Sequence, residues 1–328
     1  MSRSPDEGRS PLCPPATFDG NLRRIRLSAR MVKLVDTRDL KSLGLLKAHA
    51  GSTPAPGTTA YADSISMERI TSRQNAHLRL ARKLAESARE RNKSKQMLMD
   101  GTRLIRAYAE QFGLQDATLL ISESRVDRPD IQQILETTPP RHIYLLADEL
   151  FAEIAQVEAP EGISAIAGIP CVESKPPDDF RILLDGIQDP GNLGGLLRTA
   201  AAAGATSACL AKGCADLWAP KSLRGGMGAQ FVLPVRERID LKIALEGFPG
   251  SVIATSPHAS RSIYDVDLSG PIAMIFGSEG RGLPDDVSAL ANQLVHIPMA
   301  GKVESVNVAA AAAICCFERL RQLKLAAR

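Results

Sequence analysis

Residues 181–211 read RILLDGIQDPGNLGGLLRTAAAAGATSACLA. The apolar run at 181–187 has the composition of a strand buried on both faces. A glycine-bearing loop follows at 188–192, then a small-sided helix over 193–203 and a second apolar strand at 207–211. Strand, loop, helix and strand in about 30 residues make the unit of a parallel α/β sheet.

Two stretches farther along repeat the arrangement. A buried strand over 271–276 opens into a glycine-rich loop, so that residues 276–284 read FGSEGRGLP. A strand over 294–297 runs into IPMAGKVESVN at 297–307, ahead of a helix over 306–325. Ser305 is an apt cap for that helix by residue type. Each loop joins glycines to a carboxylate, amide or guanidinium group. Asn192 can hold neighbours through both ends of its amide, or serve simply as a loop cap.

Two familiar phosphate-binding readings fail. The GxGxxG of a dinucleotide site is absent, and the strand at 207–211 is followed by Lys212 rather than by an acid for ribose hydroxyls. The loop at 276–284 lacks the lysine and Ser/Thr of a P-loop.

The 328 residues are enough for two domains and a substantial core. Hydrophobic content of 44% and charged content of 23% fit an ordinary globular protein. No apolar run approaches the ~20 residues of a membrane span, and the cysteine usage is that expected of a cytoplasmic protein. The six cysteines (Cys13, Cys171, Cys209, Cys214, Cys315, Cys316) show no metal spacing and read as reduced, small apolar residues. A net charge of +3 names no partner. Residues 69–106, however, hold eleven Lys or Arg against three acids. RNA phosphates attract such an excess, although a solvated helix face carries the same pattern.

Ahead of the glycine loops, β and α patterns alternate. A helix is expected over 74–91 with Ser72 as its cap, then a strand at 96–100, a turn at Gly101 and a helix over 102–111. Strands follow at 118–122, 142–146 and 164–169, with helices over 130–136 and 148–157. Residues 175–179 (KPPDD) interrupt both patterns and read as a linker. Residues 1–66 carry no sustained period and no signal-peptide features. Residues 31–59 back-translate into something resembling a bacterial leucine tRNA gene. They therefore read as an early-called start, with translation beginning near Met67, or else as a disordered extension.

The order and spacing of 189–200 (DPGNLGGLLRTA), 276–284 and 297–307 resemble the three motifs of the SpoU (TrmH-type) RNA ribose 2'-O-methyltransferases of the SPOUT superfamily. Residues 70–75 (ITSRQN), 99–105 (MDGTRLI) and 162–167 (GISAIA) resemble, more loosely, the L30e-like domain that precedes the catalytic domain in many of these enzymes. The resemblance implies an α/β fold with an L30e-like substrate-binding domain over 67–172, a linker over 173–179 and a SPOUT methyltransferase domain with a deep trefoil knot over 180–328. It implies S-adenosyl-L-methionine as cofactor, no metal, a homodimer, and an RNA substrate, with ribosomal RNA of the 23S type favoured over tRNA. A knotted protein that binds RNA without catalysis is the alternative, as is a drug-resistance role within the same family.

Carried over position by position, the catalytic residues are Arg198, Asn192, Glu279, Ser305 and Asn307. Gly277, Ile297, Met299 and Val306 line the cofactor pocket. A guanidinium stays protonated, so Arg198 is expected to bind a phosphate and orient the ribose hydroxyl. Glu279 is expected to organise the site through hydrogen bonds, while Ser305 and Asn307 contact the ribose or hold Arg198. Arg73, Arg79, Arg82, Lys83 and Arg103 are the expected RNA contacts of the first domain. Residues 220–231 (PKSLRGGMGAQF) resemble a family segment that usually reads RASMGA. Gly225 and Gly226 replace its Ala and Ser, and Lys221 and Arg224 remain for phosphate.

Overall fold

The computed structural model describes residues 66–174, 176–301 and 305–327. The expectations for residues 1–65, and the part of the expected knot formed by residues 302–304, lie outside these. The described chain forms two sheets in sequence. The first half runs β1 (Ser66–Ile70), α1 (Ala76–Glu86), α2 (Ala88–Ser94), β2 (Gln96–Asp100), α3 (Thr102–Phe112), β3 (Thr118–Ser122), α4 (Pro129–Thr137), β4 (His142–Leu146), α5 (Asp148–Ala152) and β5 (Ile163–Gly168). Its strands order as β1-β4-β3-β5-β2, with β5 antiparallel to both neighbours.

The second half runs β6 (Phe180–Leu184), α6 (Pro190–Ala202), β7 (Ser207–Leu210), α7 (Pro220–Gly226), β8 (Val235–Arg236), α8 (Leu241–Leu245), β9 (Ser251–Thr255), β10 (Arg261–Ser262), β11 (Ile272–Phe276), α9 (Asp285–Ser288), β12 (Gln293–His296) and α10 (Val308–Ala326). Its order is β10-β12-β9-β11-β6-β7-β8, and every pairing is parallel. The continuous apolar runs read from 181 and 271 follow from this, since β6 and β11 lie side by side with helices over both faces. One apolar core joins the halves: Met97, Met99 and Ile105 share it with Leu223, Phe231 and Leu233. The Tyr108 ring meets Phe231 edge-on at 5.3 Å.

Several boundaries differ from expectation, each for a local reason. The helix expected over 74–91 is two helices. At Ser87 the backbone is extended (φ −117°, ψ 110°), and its hydroxyl accepts from the Glu90 N–H to start α2. Asn75 rather than Ser72 caps α1, accepting from the N–H groups of His77 and Leu78. The helix expected to reach 157 ends at Ala152, where the chain tightens and Ile154 N–H bonds Phe151 O at 3.0 Å. Asp189 caps α6 with Pro190 in its first turn, so the helix starts three residues before the expected 193. Asn307, not Ser305, caps α10. Among the described cysteines, Cys209, Cys315 and Cys316 are buried. Burial pushes the Cys315 thiol up to about 12 and raises Cys316 as well.

Candidate active site

In an open parallel sheet, ligands bind outside the carboxyl ends of the strands where the chain order reverses direction. Here that point lies between β6 and β11. The chain leaves β6 toward β7 on one side and returns at β11 on the other. Residues 185–189 and 277–284 therefore sit together at the same edge of the sheet.

Asn192 is where the loops meet. In the first turn of α6, its N–H donates to the capping Oδ1 of Asp189 at 2.9 Å. Its Nδ2 donates to Glu279 Oε1 at 2.8 Å. Its Oδ1 accepts from Asn307 Nδ2 at 3.0 Å. Asn307 Oδ1 in turn accepts from the Ala309 and Ala310 N–H groups. One amide thus ties together three segments that are 87 and 115 residues apart. Asn192→Ala is expected to lower the rate of the chemical step by about 10- to 100-fold, because loop misplacements of about 1 Å carry costs of that order. Single-turnover rates with saturating substrates would show it.

The remaining expected residues are placed as follows. Arg198 is exposed on α6, and Asn307 holds Asn192 rather than Arg198. Ser305 is exposed and does not cap α10. Gly277 lies where the loop doubles back: Ser278 and Gly282 exchange backbone hydrogen bonds at 3.1 and 3.0 Å. A methyl on Gly277 would lie 2.5 Å from the Gly282 carbonyl, so the loop itself demands glycine there. Ile297 is packed against the core, while Met299 and Val306 are 37% and 36% exposed on the loop beside Asn307. This apolar surface lies next to a close-turning glycine loop. Asp185, directly after β6, escaped the sequence reading. Burial, reinforced by Asp286, holds its carboxyl above the usual range. The signal was an acid ending the run RILL.

Lys221 is an ion-pair partner of Asp189, with Nζ 2.5 Å from Oδ2. This contact, and then the Asn192 N–H, hold the Asp189 carboxyl below its ordinary range. A depressed folded value contributes stability above the unfolded aspartate pKa of about 4, and the contribution is lost as pH falls through the lower folded value. Asp189→Asn keeps a capping side chain but removes the charge. The variant is expected to be less stable than wild type at neutral pH and to converge on it in acid, as read from urea midpoints.

On α7, Gly225 and Gly226 do not face an open pocket. Gly225 packs against the Gly191 and Gly194 backbone of α6, and Gly226 faces the Gln230 side chain while its nitrogen lies close to Gly194. Arg224 is half-buried, with its Nη1 unpaired among the described residues; burial raises the nearby Asp100 carboxyl, and the Arg224 charge partly opposes this. Arg73 and Arg82 both pair with Glu153, at 2.6 and 3.2 Å. Arg79 and Lys83, one turn apart on α1, and Arg103 on α3 are exposed. Among the described residues no His, Cys, Asp and Glu group could hold a metal ion, and no helix is long and apolar enough to cross a membrane.

Comparison with known proteins identifies the family. Residues 179–317 match the SpoU rRNA methylase family. An uncharacterized tRNA/rRNA methyltransferase of Synechocystis sp. is 35% identical over 264 residues, 77% of this chain and 93% of the relative. The 23S rRNA (guanosine(2553)-2'-O)-methyltransferase RlmP of Bacillus subtilis is 30% identical over 76% of this chain and 98% of its own. Among solved structures, the SpoU methyltransferase AviRb from Streptomyces viridochromogenes, in complex with AdoMet, superposes with a TM-score of 0.69 at 28% identity. That match covers 76% of this chain and 98% of AviRb. The three converging loops and the near-complete coverage of these relatives lead to one conclusion: this chain belongs to the SpoU rRNA methylase family.

Proposed function

We propose that the chain transfers a methyl group from S-adenosylmethionine to a ribose 2'-hydroxyl of ribosomal RNA of the 23S type. The observation that carries this reading is the Asn192 junction, which joins the ends of both motif loops at the sheet's switch point. The cofactor supplies a methyl group already activated on a sulfonium. The protein's task is alignment of nucleophile, methyl and leaving sulfur. Arg198 is free of internal partners among the described residues and extends into solvent, where it binds the adjoining phosphate and orients the hydroxyl. Glu279 and Asn307, locked through Asn192, shape the ribose side of the site together with Ser305. Gly277, Ile297, Met299 and Val306 hold the cofactor.

The first sheet and its helices are the RNA-gripping part, with exposed Arg79, Lys83 and Arg103 as phosphate contacts. The salt-bridged Arg73, Arg82 and Lys221 are secondary contacts that must exchange a carboxylate for a phosphate. Two copies pair through α10, where Phe317 and Leu325 are 46% and 53% exposed. Location in the cytoplasm follows from the substrate.

The test is a ribose-methylation map of ribosomal and transfer RNA from the host with and without this gene, repeated in vitro with purified protein and labelled cofactor. A single 2'-O-methyl site lost in the deletion and restored by the protein is the expected result. A lost tRNA site would move the substrate. Cofactor binding with no transfer to any RNA would leave a binding-only protein.

A further inference from the structure

The two halves of the chain are joined by a charged contact between a buried arginine and a partly buried aspartate. Arg91, on α2, is only 4% exposed. Its Nη1 donates to the carbonyls of Leu84 and Ala85, closing the C-terminal end of α1. Its Nε and Nη2 reach across to Asp216 Oδ2, at 2.8 and 2.7 Å. Asp216 is itself built into the second half. Its Oδ1 accepts from the Trp218 N–H at 3.0 Å, and its carbonyl accepts from the Ser222 hydroxyl of α7 at 2.7 Å. Lys221, the residue before Ser222 on α7, pairs with Asp189, whose other oxygen holds the Asn192 N–H. Polar contacts from the end of the basic helix α1 to Ser222 are thus joined, through the α7 backbone, to those that run from Lys221 to the amide at the centre of the site.

A surface ion pair slides and exchanges with water, whereas a buried one opens only by leaving each partner unpaired in a dry setting. A guanidinium with four directed contacts also fixes an angle, because its donors lie in one plane. Buried as it is, Arg91 cannot itself meet a phosphate.

We propose that Arg91 is a positioning residue for the methyl transfer: through Asp216 it holds α1 and α2 at a fixed offset from Asn192, so that RNA gripped by the first half is registered on the site of the second. The proposal rests on the function proposed above.

The test uses the full chain with Arg91→Gln, Asp216→Asn, the double variant and Arg91→Lys. The probes are an unmodified 23S rRNA transcript and labelled S-adenosylmethionine. Thermal midpoint, cofactor Kd, RNA Kd by filter binding, kcat and KM are read for each. The expected result is a fall of about 10- to 100-fold in kcat/KM for RNA, from loss of register. Cofactor Kd stays within about twofold, and Arg91→Lys lies between wild type and Arg91→Gln. The slope of log Kd for RNA against log salt stays the same, whereas loss of a direct phosphate contact would lower it by about one.

An unchanged kcat/KM in folded variants overturns the proposal. So does a parallel weakening of cofactor binding, which would mark a merely structural ion pair. If Arg91→Gln fails to fold, the double variant and Arg91→Lys carry the comparison. If wild type binds the transcript without methylating it, the proposed function fails. The positioning role is then decided by RNA Kd, which must weaken in the variants.

Discussion

Replacing Arg198 by alanine is expected to lower kcat by about 10²- to 10³-fold, the range that a lost orienting and charge-stabilising donor carries. The same change should leave the fold untouched. Arg198 is exposed and makes no ion pair among the described residues. Surface changes of that kind fall within about 0.5 kcal/mol. Few residues in the site offer so clean a separation of activity from stability, since Asn192, Asp189 and Asn307 all tie loops together as well. Arg198→Lys keeps a charge but loses the planar fork, so it should recover only part of the rate. The check is single-turnover methyl transfer at saturating cofactor and RNA, with thermal melts alongside. A rate equal to wild type would remove Arg198 from the reaction and leave Glu279 and Ser305 as the groups facing the hydroxyl.

The second large effect is on stability. Gly194 faces α7 so closely that a methyl group in its place would lie 2.2 Å from the Ser222 carbonyl oxygen and 2.7 Å from the Gly226 nitrogen. Both neighbours are backbone and cannot rotate away. Overpacking usually costs about 1–3 kcal/mol, and a backbone clash belongs at or above the top of that range. Gly194→Ala is therefore expected to lower the thermal midpoint by about 10 °C, on a scale of about 2–4 °C per kcal/mol. Activity should be lost with it, because α6 carries both Asn192 and Arg198. The adjacent glycine is the control. A methyl on Gly195 would meet only the Ala309 Cβ at 3.8 Å, an ordinary contact. Gly195→Ala should be neutral, or stabilising by up to about 1 kcal/mol through helix propensity. Equal behaviour of the two variants would show that α6 and α7 do not pack as described.

What could be read from the chain alone depended on how local the deciding force was. The runs QMLMD, TLLIS and HIYLL became strands with the expected limits, because short apolar runs bounded by turn residues need little tertiary help. The equally short run SVIAT went unread, yet as β9 it lies between β11 and β12 in the second sheet. At five residues, it carries no period that tells a buried strand from a buried helical turn. At the start of α10, residue type points to Ser305 as the cap. The role falls to Asn307, which caps with its oxygen while its nitrogen reaches Asn192, a partner 115 residues away that no local pattern reveals. The close approach of Gly225 to Gly191 and Gly194 of α6 is a tertiary contact that no local pattern in 220–231 reveals.

The strand order has a consequence for how the protein comes into being. β6 pairs with β11 across roughly 90 residues of intervening chain, and all seven strands of that sheet are joined by crossovers. Non-local parallel pairing of this kind closes slowly. On the ribosome the first sheet has every strand available once residue 168 has emerged. The second cannot seat β11 beside β6 until residue 276 is out. Asn192 must wait longer still, for Asn307 near the end of the chain. The first half, proposed above to grip RNA, is therefore complete during synthesis well before the Asn192 junction can form. The last hydrogen bond of the junction marks the moment the enzyme is finished.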